Sequence, residues 1–372
     1  MLPNTNSLSA PNTPRRFHFV VPVWGESHIS IFLSHVLPSH LALGNLSCLP
    51  PDRVCYWIIT DNAGAALIRQ SPLFRKLQHC ADEVVFRSIE DVKIPQISNS
   101  SPITYTYALM TACHKIVINF ANIENSAVVF LNADMVYSDG TFRVMFDHVS
   151  NGARTVEHVC FRTSRERIPT LLNSFIEASG ELSISPREII TIGLANFHWI
   201  AETHLWNGPQ KLLNPSNLYW LVDDEGIIAH CTHFHPLLIF PRIKSSLFTN
   251  SIDHDYIDQA GILESERYIV RSSDEFASIE ISLKSHNEYM PKFRAGSIGE
   301  VARFLHQMCR PIHAKNLVAS IHLYAKEPSI RKWKKLDYQA QRTVRKILLV
   351  LSILEISPIK WRKKLLKWIS SR

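Results

Sequence analysis

The sequence predicts an α/β fold built on a mainly parallel sheet that is flanked by helices. The first observation is a set of short apolar runs, which are typical of buried strands. The second is that helical apolar patterns separate these runs, and such alternation favours parallel pairing with right-handed crossovers. The third is that polar residues directly follow several runs. The runs are Phe17–Val21, Val54–Ile59, Glu83–Phe86 and Val128–Leu131.

The first half of the chain contains the clearest alternation. Pro22 marks the end of the first strand, because proline is confined to strand ends and edges. Helices are predicted over Ile29–Leu43 with an interruption near Pro38, over Ala65–Leu77 and over Thr104–Ala121.

The second half is more mixed. A strand is predicted within Gly152–Phe161 and a helix over Ile168–Ser179. Pro186, in a first helical turn, predicts a second helix that runs towards Phe197. Two strands joined by a turn at Asp223–Glu225 are predicted over Asn217–Val222 and Gly226–Ala229.

Length and composition indicate a soluble globular protein. The 372 residues suffice for one large or two ordinary domains, and 46% hydrophobic residues with 20% charged residues fit the globular class. The seven cysteines form no C-x-x-C pair, which argues for a reducing compartment and against a disulfide framework or a cysteine zinc site. Residues 1–16 lack the apolar core of a signal peptide and are predicted to be disordered. No apolar run reaches the roughly 20 residues that span a bilayer, so we expect a cytoplasmic protein.

The basic charge is concentrated in the C-terminal part. The formal net charge is +7, and residues 330–372 hold thirteen Lys and Arg against two acidic residues, leaving 27 basic and 31 acidic residues elsewhere. We therefore predict a main domain over 17–296 and a helical, basic extension over 297–372. A basic amphipathic helix with Trp361 and Trp368 favours peripheral binding to an anionic membrane, on the inner face of the cytoplasmic membrane. The alternative is a helix packed on the body with solvated charges. Because the body is net acidic, nucleic-acid binding is not expected.

Three predicted strand ends should meet at one edge of the sheet. In open α/β sheets, ligands bind beyond the carboxyl ends of the strands. A nucleotide needs an aromatic or apolar slot for its base, polar groups for its ribose and positive charge for its diphosphate. Trp24 and Asp61 suit base and ribose, and Asp134 suits a metal ligand, although Trp24 could instead be a core aromatic and Asp61 a helix N-cap. The three segments are Pro22-Val23-Trp24-Gly25, Thr60-Asp61 and Asn132-Ala133-Asp134.

Two further pairs have a spacing that suits a site. His233 and His235 would face the same side of an extended chain and could complete a metal site with Asp134. No thiolates accompany them, so the pattern differs from that of a closed zinc site. Asp253 and Asp255 have the same spacing, and either could bind an acceptor hydroxyl or act as a general base. The alternative for this pair is a solvated turn.

In their order along the chain, these motifs resemble nucleotide-sugar glycosyltransferases of the Rossmann-like GT-A fold, and most closely a bacterial group of them. The resemblance covers residues 17–260 and includes Ser185–Glu188, His233–Leu237 and Ile252–Tyr256. It implies that Mn²⁺ or Mg²⁺ and the donor diphosphate are bound by Asn132, Asp134 and one of His233 or His235. Asn132 departs from the family pattern, which has aspartate there, and an amide is a weaker cation ligand than a carboxylate.

The expected function is transfer of a sugar from a nucleotide-diphosphate donor to a carbohydrate or lipid-linked acceptor, in bacterial surface-polysaccharide or glycolipid synthesis. An inverting enzyme would need a carboxylate base, for which Asp224, Asp253 and Asp255 are candidates. One alternative is a sugar nucleotidyltransferase, which would normally have a Gly-rich basic loop where this chain has Trp24–Ser27. Another is a non-catalytic nucleotide-binding or partner-binding module on the same fold, which Asn132 favours.

Overall fold

The structure is a computed structural model that describes residues 13–94, 102–208, 216–245, 251–285 and 297–356. The predicted disorder of residues 1–16 therefore falls mostly outside the described residues. The strands are β1 (Phe17–Pro22), β2 (Val54–Thr60), β3 (Glu83–Ser88), β4 (Ala127–Phe130), β5 (Met135–Tyr137), β6 (Thr155–His158), β7 (Phe161–Ser164), β8 (Asn217–Val222), β9 (Gly226–Cys231), β10 (His235–Ile239), β11 (Arg267–Ile269), β12 (Ser278–Ser282) and β13 (Ile321–Tyr324). The helices are α1 (Glu26–Ile31), α2 (Leu37–His40), α3 (Asn62–Gln70), α4 (Pro72–Cys80), α5 (Pro102–Glu124), α6 (Thr141–Ser150), α7 (Ile168–Leu172), α8 (Pro186–Ala195), α9 (Trp199–Glu202), α10 (Ile257–Gln259), α11 (Ile298–Met308), α12 (Pro311–Asn316) and α13 (Ile330–Ile356).

The main sheet has seven strands in the order β11-β6-β10-β4-β1-β2-β3. Strands β4, β1, β2 and β3 pair in parallel, as do β6 and β11, whereas β10 is antiparallel to both of its neighbours. The predicted α/β class with a mainly parallel sheet is confirmed.

Both faces of the central strands are buried, which explains their continuous apolar sequences. Phe19 and Val21 of β1 belong to a core cluster on one face, and Val20 belongs to a second cluster on the other. Strand β4 alternates in the same way, with Val129 in the first cluster and Phe130 in the second. Helix α5 covers the second face with apolar residues that include Leu109, Cys113 and Val117.

Proline divides one predicted helix into two. The segment expected as a single helix over Ala65–Leu77 forms α3 and α4, which are separated at Ser71. Pro72 cannot donate a backbone hydrogen bond and holds the preceding residue in an extended conformation. The Ser71 side chain then accepts a hydrogen bond from the Leu73 N–H and caps α4.

Three further segments differ from the sequence prediction in extent. The helix expected over Ile29–Leu43 contains a π-turn at Phe32–Val36, and it continues past Pro38 to His40. The predicted strand within Gly152–Phe161 is divided between β6 and β7, which belong to different sheets. Helix α7 ends at Leu172, well short of Ser179, because the chain turns back to form a bridge between Ile176 and Leu182.

Two three-stranded sheets complete the fold, in the orders β5-β12-β7 and β13-β9-β8. The predicted hairpin is present as β8 and β9, joined through Asp223, whose φ of 47° is left-handed. Strand β13 lies in a segment that the sequence predicts to be helical, and it pairs antiparallel with β9. The predicted domain boundary between residues 296 and 297 adjoins residues 286–296, which lie outside the described residues.

The C-terminal segment, by which we mean residues 297–356, packs on the β8–β9 hairpin. Trp333, Val344 and Ile347 on one face of α13 are buried against Trp220 and Ile228 of the hairpin. None of the described helices combines the length and apolar character that crossing a membrane requires. The predicted basic residues beyond Ile356 lie outside the described residues.

The Glu225 carboxylate of the hairpin turn binds several donors at the start of α13. Glu225 accepts hydrogen bonds from the backbone N–H and hydroxyl of Ser329, each 2.8 Å long. It also accepts from Lys332 Nζ at 2.7 Å and from Trp333 Nε1 at 2.9 Å. The turn of the hairpin thus satisfies the Ser329 backbone N–H, which has no partner within the helix itself, and three side-chain donors beside it.

A buried ion pair within the main sheet is hydrogen-bonded to the C-terminal segment. Arg267 on β11 donates to both carboxylate oxygens of Glu157 on β6, at 2.8 and 2.7 Å, and the two side chains are 2% and 1% exposed. Thr155 Oγ1 also donates to Glu157, at 2.8 Å, and Arg267 donates to Asn316 Oδ1 at 3.0 Å. Because Asn316 lies in α12, this network joins residues on both sides of the predicted domain boundary.

Candidate functional site

The carboxyl ends of β1 and β2 are joined by Asp61. Its Oδ1 accepts a hydrogen bond from the Gly64 N–H at 2.7 Å, which caps α3, and its Oδ2 accepts from the Gly25 N–H at 3.2 Å. These bonds, with that from Gly64 the strongest, lower the pKa of Asp61 and keep it ionised. Gly25 has a φ of 78°, a conformation that glycine adopts without strain. Asp61 is therefore an N-cap, and its predicted contact with a ribose stays a prediction.

The other predicted residues of these two segments differ in exposure. Pro22, Val23 and Thr60 are buried, so their side chains belong to the scaffold of the edge. Trp24 is half-buried and packs against a core cluster, and Gly25 is exposed. Of this set, Trp24 and Gly25 are the ones that solvent and a ligand can reach.

Asn132, Ala133 and Asp134 form the turn between β4 and β5. The backbone carbonyl of Asp134 accepts a hydrogen bond from the Ile281 N–H at 2.8 Å, which fixes the turn against β12. Ala133 is buried, and the side chains of Asn132 and Asp134 are half-buried. Burial and the nearby carboxylate of Glu280 raise the pKa of the Asp134 carboxyl well above its usual value.

Two arginines stand beside Asp134, and neither was predicted as a site residue from the sequence. Arg162 on β7 lies opposite Glu280 on β12, and its Nε is 2.9 Å from Glu280 Oε1. Arg165 follows the end of β7 and donates to Ser27 Oγ at 2.6 Å and to the Ser27 carbonyl at 2.5 Å. Both guanidinium groups interact electrostatically with Asp134 and oppose the rise in its pKa. The sequence feature that could have indicated them is the spacing of Arg162 and Arg165, three residues apart and directly after the apolar Phe161.

A cavity of about 690 Å³ opens next to Arg162. Its wall combines charged groups, imidazoles and aromatic rings, which is the mixture expected of a site for a polar organic ligand. Helix α11 contributes Phe304 and Met308, so the C-terminal segment forms part of this wall. The charged or imidazole-bearing residues of the lining are Arg162, Glu280, Asp253, His158, His204, His233 and His235.

The two predicted histidines both line the cavity but are held differently. His235 Nε2 donates to the Phe130 carbonyl at 3.0 Å, which leaves Nδ1 as an acceptor in the neutral ring. Burial lowers the pKa of His235, so the neutral form predominates at pH 7. His233 lies with its ring centroid 3.9 Å from that of His313 in α12, and its Nδ1 is 2.8 Å from Thr232 Oγ1.

The three predicted carboxylate bases have different positions. Asp253 lines the cavity within the π-turn Ile252–Tyr256, accepts a hydrogen bond from Ser251 Oγ and interacts electrostatically with His235. Asp224 lies in the exposed turn between β8 and β9, outside the cavity lining, and its Oδ2 is 2.5 Å from Lys326 Nζ. The side chain of Asp255 lies outside the described residues.

Comparison with solved structures gives matches that include two with low identity and low TM-score. Mouse xyloside xylosyltransferase 1 in its apo form matches with 13% identity and a TM-score of 0.26, over 40% of this chain and 53% of the mouse chain. S. aureus TarS matches with 9% identity and a TM-score of 0.24, over 40% of this chain and 22% of the TarS chain. This chain thus spans about half of the first relative and less of the second. No protein-family model and no curated protein sequence matches it. Matches this weak do not by themselves assign an activity.

The predicted metal ligands do not form a ligand set in the structure. Within the described ranges, no three His, Cys, Asp or Glu side chains come together as a group that could hold a metal ion. The only carboxylate among the predicted ligands is Asp134, whose surroundings already contain Arg162 and Arg165. A dependence on Mn²⁺ or Mg²⁺ stays a prediction.

Proposed function

We propose that this chain is a glycosyltransferase that uses a nucleotide-diphosphate-sugar donor and a hydroxyl acceptor. The observation that carries the proposal is the position of the cavity, because two of its lining residues, Arg162 and Glu280, interact electrostatically with Asp134. Asp134 lies at the strand-end edge, which we define as the ends of β1, β2 and β4 with Gly25, Asp61 and Asp134. Donor and acceptor can therefore meet where the two regions adjoin, near Arg162 and Glu280. The order of motifs along the sequence, which resembles glycosyltransferases of the GT-A fold, supports the same assignment.

In this proposal the strand-end edge holds the nucleotide and the cavity holds the acceptor. Exposed Gly25 and partly exposed Trp24 offer a backbone surface and an aromatic surface to the base. The aromatic residues of the cavity offer apolar faces to sugar rings or to the apolar part of a lipid-linked acceptor. They include Tyr107, Phe161, Tyr219 and Phe304.

Asp253 is the proposed general base for an inverting transfer. Its carboxylate lines the cavity, and it would accept the proton of the acceptor hydroxyl as the oxygen attacks the donor sugar. A general base typically contributes roughly 10²–10⁴-fold to a rate. Asp253→Asn should therefore lower kcat by roughly a hundredfold or more.

The experiment is a panel of nucleotide sugars, with and without acceptor sugars and glycolipids, in which the release of nucleoside diphosphate is measured. Asp224→Asn is the matched control, because the same substitution falls on an exposed aspartate outside the cavity lining. Transfer that survives in Asp253→Asn would reject this residue as the base. Release of inorganic pyrophosphate from a sugar phosphate and a nucleoside triphosphate would identify a nucleotidyltransferase, and binding of nucleotide sugars without turnover would identify a non-catalytic module.

The cellular role is proposed on a second observation. One face of α13 packs on the body, while its opposite face exposes basic residues together with Tyr338 and Leu349. We propose that this basic face binds an anionic membrane by charge, without insertion of the buried apolar face. A bacterial enzyme that extends a lipid-linked glycan at the inner face of the membrane would need such an arrangement. Apart from Lys332, which binds Glu225, the exposed basic residues of α13 are Arg331, Lys334, Lys335, Arg342, Arg345 and Lys346.

A further inference from the structure

A nucleoside diphosphate that leaves the donor sugar carries negative charge and is stabilised by nearby positive groups. Among the described residues around the strand-end edge, arginine side chains can provide this positive charge. In the proposed transfer, the bond between the anomeric carbon and the diphosphate oxygen breaks, and the electron pair remains on that oxygen. The acceptor oxygen forms the new bond to the anomeric carbon, and its proton passes to the Asp253 carboxylate. The diphosphate therefore gains one unit of negative charge as it leaves, and stabilising this charge lowers the barrier.

Arg165 is held beside two of these strand ends. Its backbone N–H donates to the Ser282 carbonyl at 3.0 Å, which anchors the residue to the end of β12. Its guanidinium donates to Ser27 in α1, which follows β1, and Asp134 after the end of β4 interacts with it electrostatically. One side chain thus connects two of the strand ends that would surround a diphosphate.

Among the described residues, Arg165 forms no ion pair at contact distance, although Asp134 and Glu166 interact with it electrostatically. Its guanidinium donates to the neutral groups of Ser27, and in the described part of the chain no carboxylate lies within 4.0 Å of it, in contrast with Arg162 and Glu280. Arg162 is paired with Glu280 and forms a hydrogen bond with Tyr107 at the cavity wall, so it offers a guanidinium in a fixed position near Arg165 rather than an unpaired charge. A planar guanidinium binds phosphate oxygens in a bidentate manner, so it can both neutralise and orient a diphosphate.

We propose that Arg165, supported by Arg162, binds the donor diphosphate and stabilises it as it leaves, in place of a divalent cation. The inference rests on the proposed function and adds to it the groups that neutralise the leaving group. It also accounts for Asn132, because a site that does not bind a cation needs no carboxylate at that position.

The test measures binding and turnover separately. Uridine, guanosine, adenosine and thymidine diphosphates are titrated by calorimetry into the full-length protein, in excess EDTA and again with Mn²⁺. At least one should bind equally well in both conditions. Arg165→Gln should weaken that binding by about tenfold to a hundredfold, which is the contribution of a hydrogen bond to a charged group. Arg165→Lys should recover part of the lost affinity, because lysine keeps the positive charge but cannot form the bidentate hydrogen bonds of a guanidinium.

Arg167→Gln is the matched control, since it makes the same change at an exposed arginine two residues away and should bind like the wild type. Unchanged thermal unfolding of the ligand-free variants would show that they are folded. Binding or turnover that is lost in EDTA and restored by Mn²⁺ would overturn the inference and leave the proposed function standing, as would wild-type affinity in Arg165→Gln. Failure to bind any of the four diphosphates in either condition would reject the inference and the proposed function together.

Discussion

Replacing Glu157 by glutamine should destabilise the protein strongly, because it leaves the buried guanidinium of Arg267 without its partner. The two side chains are 1% and 2% exposed and are joined by two hydrogen bonds of 2.8 and 2.7 Å. Removing one partner of a buried ion pair typically costs about 3–5 kcal/mol, most of it the penalty for an uncompensated buried charge. The exposed carboxylate of Glu264, at 3.4 Å from Arg267, offers a weak replacement, and we therefore expect a loss of about 3 kcal/mol.

The assay is urea-induced unfolding followed by circular dichroism, with the free energy of unfolding taken from the midpoint and the slope. Glu264→Gln is the control, because its partner is the same arginine but its own side chain is 68% exposed, and the expected change is below about 1 kcal/mol. The double variant Glu157→Leu with Arg267→Met should be markedly more stable than Glu157→Gln, since it removes both charges. A Glu157→Gln variant within about 1 kcal/mol of the wild type would refute the reasoning.

Three further predictions concern the C-terminal segment. Gly226→Ala should lower the free energy of unfolding by about 2 kcal/mol in the same urea assay, because the new Cβ would lie 2.0 Å from a backbone carbonyl oxygen of β13. Hydrogen bonds led by that from Lys332 lower the pKa of Glu225 to about 2 from 4.5, so its stabilisation is present above pH 4.5 and lost as the pH falls towards 2. The difference in melting temperature between wild type and Glu225→Gln should therefore shrink over that interval; a constant difference would contradict it. The wild type should co-sediment with anionic vesicles and not with neutral ones. Charge reversal on the exposed face of α13, in the triple variant Lys335→Glu, Arg342→Glu, Arg345→Glu, should abolish this co-sedimentation. Undiminished co-sedimentation of the variant would argue against membrane binding by this face.

The central strands could be predicted from the sequence because each is buried on both faces and so must be continuously apolar. Strand β4, for example, is buried throughout, and its four residues lie within the predicted run apart from Ala127. The polar residues at the strand ends could be predicted for the same reason, since the apolar pattern stops where the chain leaves the sheet.

The partners of the site residues could not be predicted, because they depend on tertiary contacts. Nothing near Arg165 in the sequence indicates that it reaches Ser27, which lies 138 residues earlier. Strand β13 was also missed, because its four residues are short for a strand signal and the surrounding segment is helical. Asp224 and Asp253 are equally plausible bases in the sequence, and only the fold separates an exposed turn from a cavity wall.

The pairing of β13 with β9 has a consequence for how the protein folds. The β9 edge of the β8–β9 hairpin and much of one apolar face are covered by residues that follow much later in the chain, as the separation of 104 residues between Glu225 and Ser329 shows. Contacts of such long sequence separation form slowly, and until they form the unpaired β9 edge can associate with other chains. During synthesis the hairpin must therefore wait for β13 and α13 to be made. We expect yield to depend on temperature and expression rate, and shortened chains that lack β13 to aggregate.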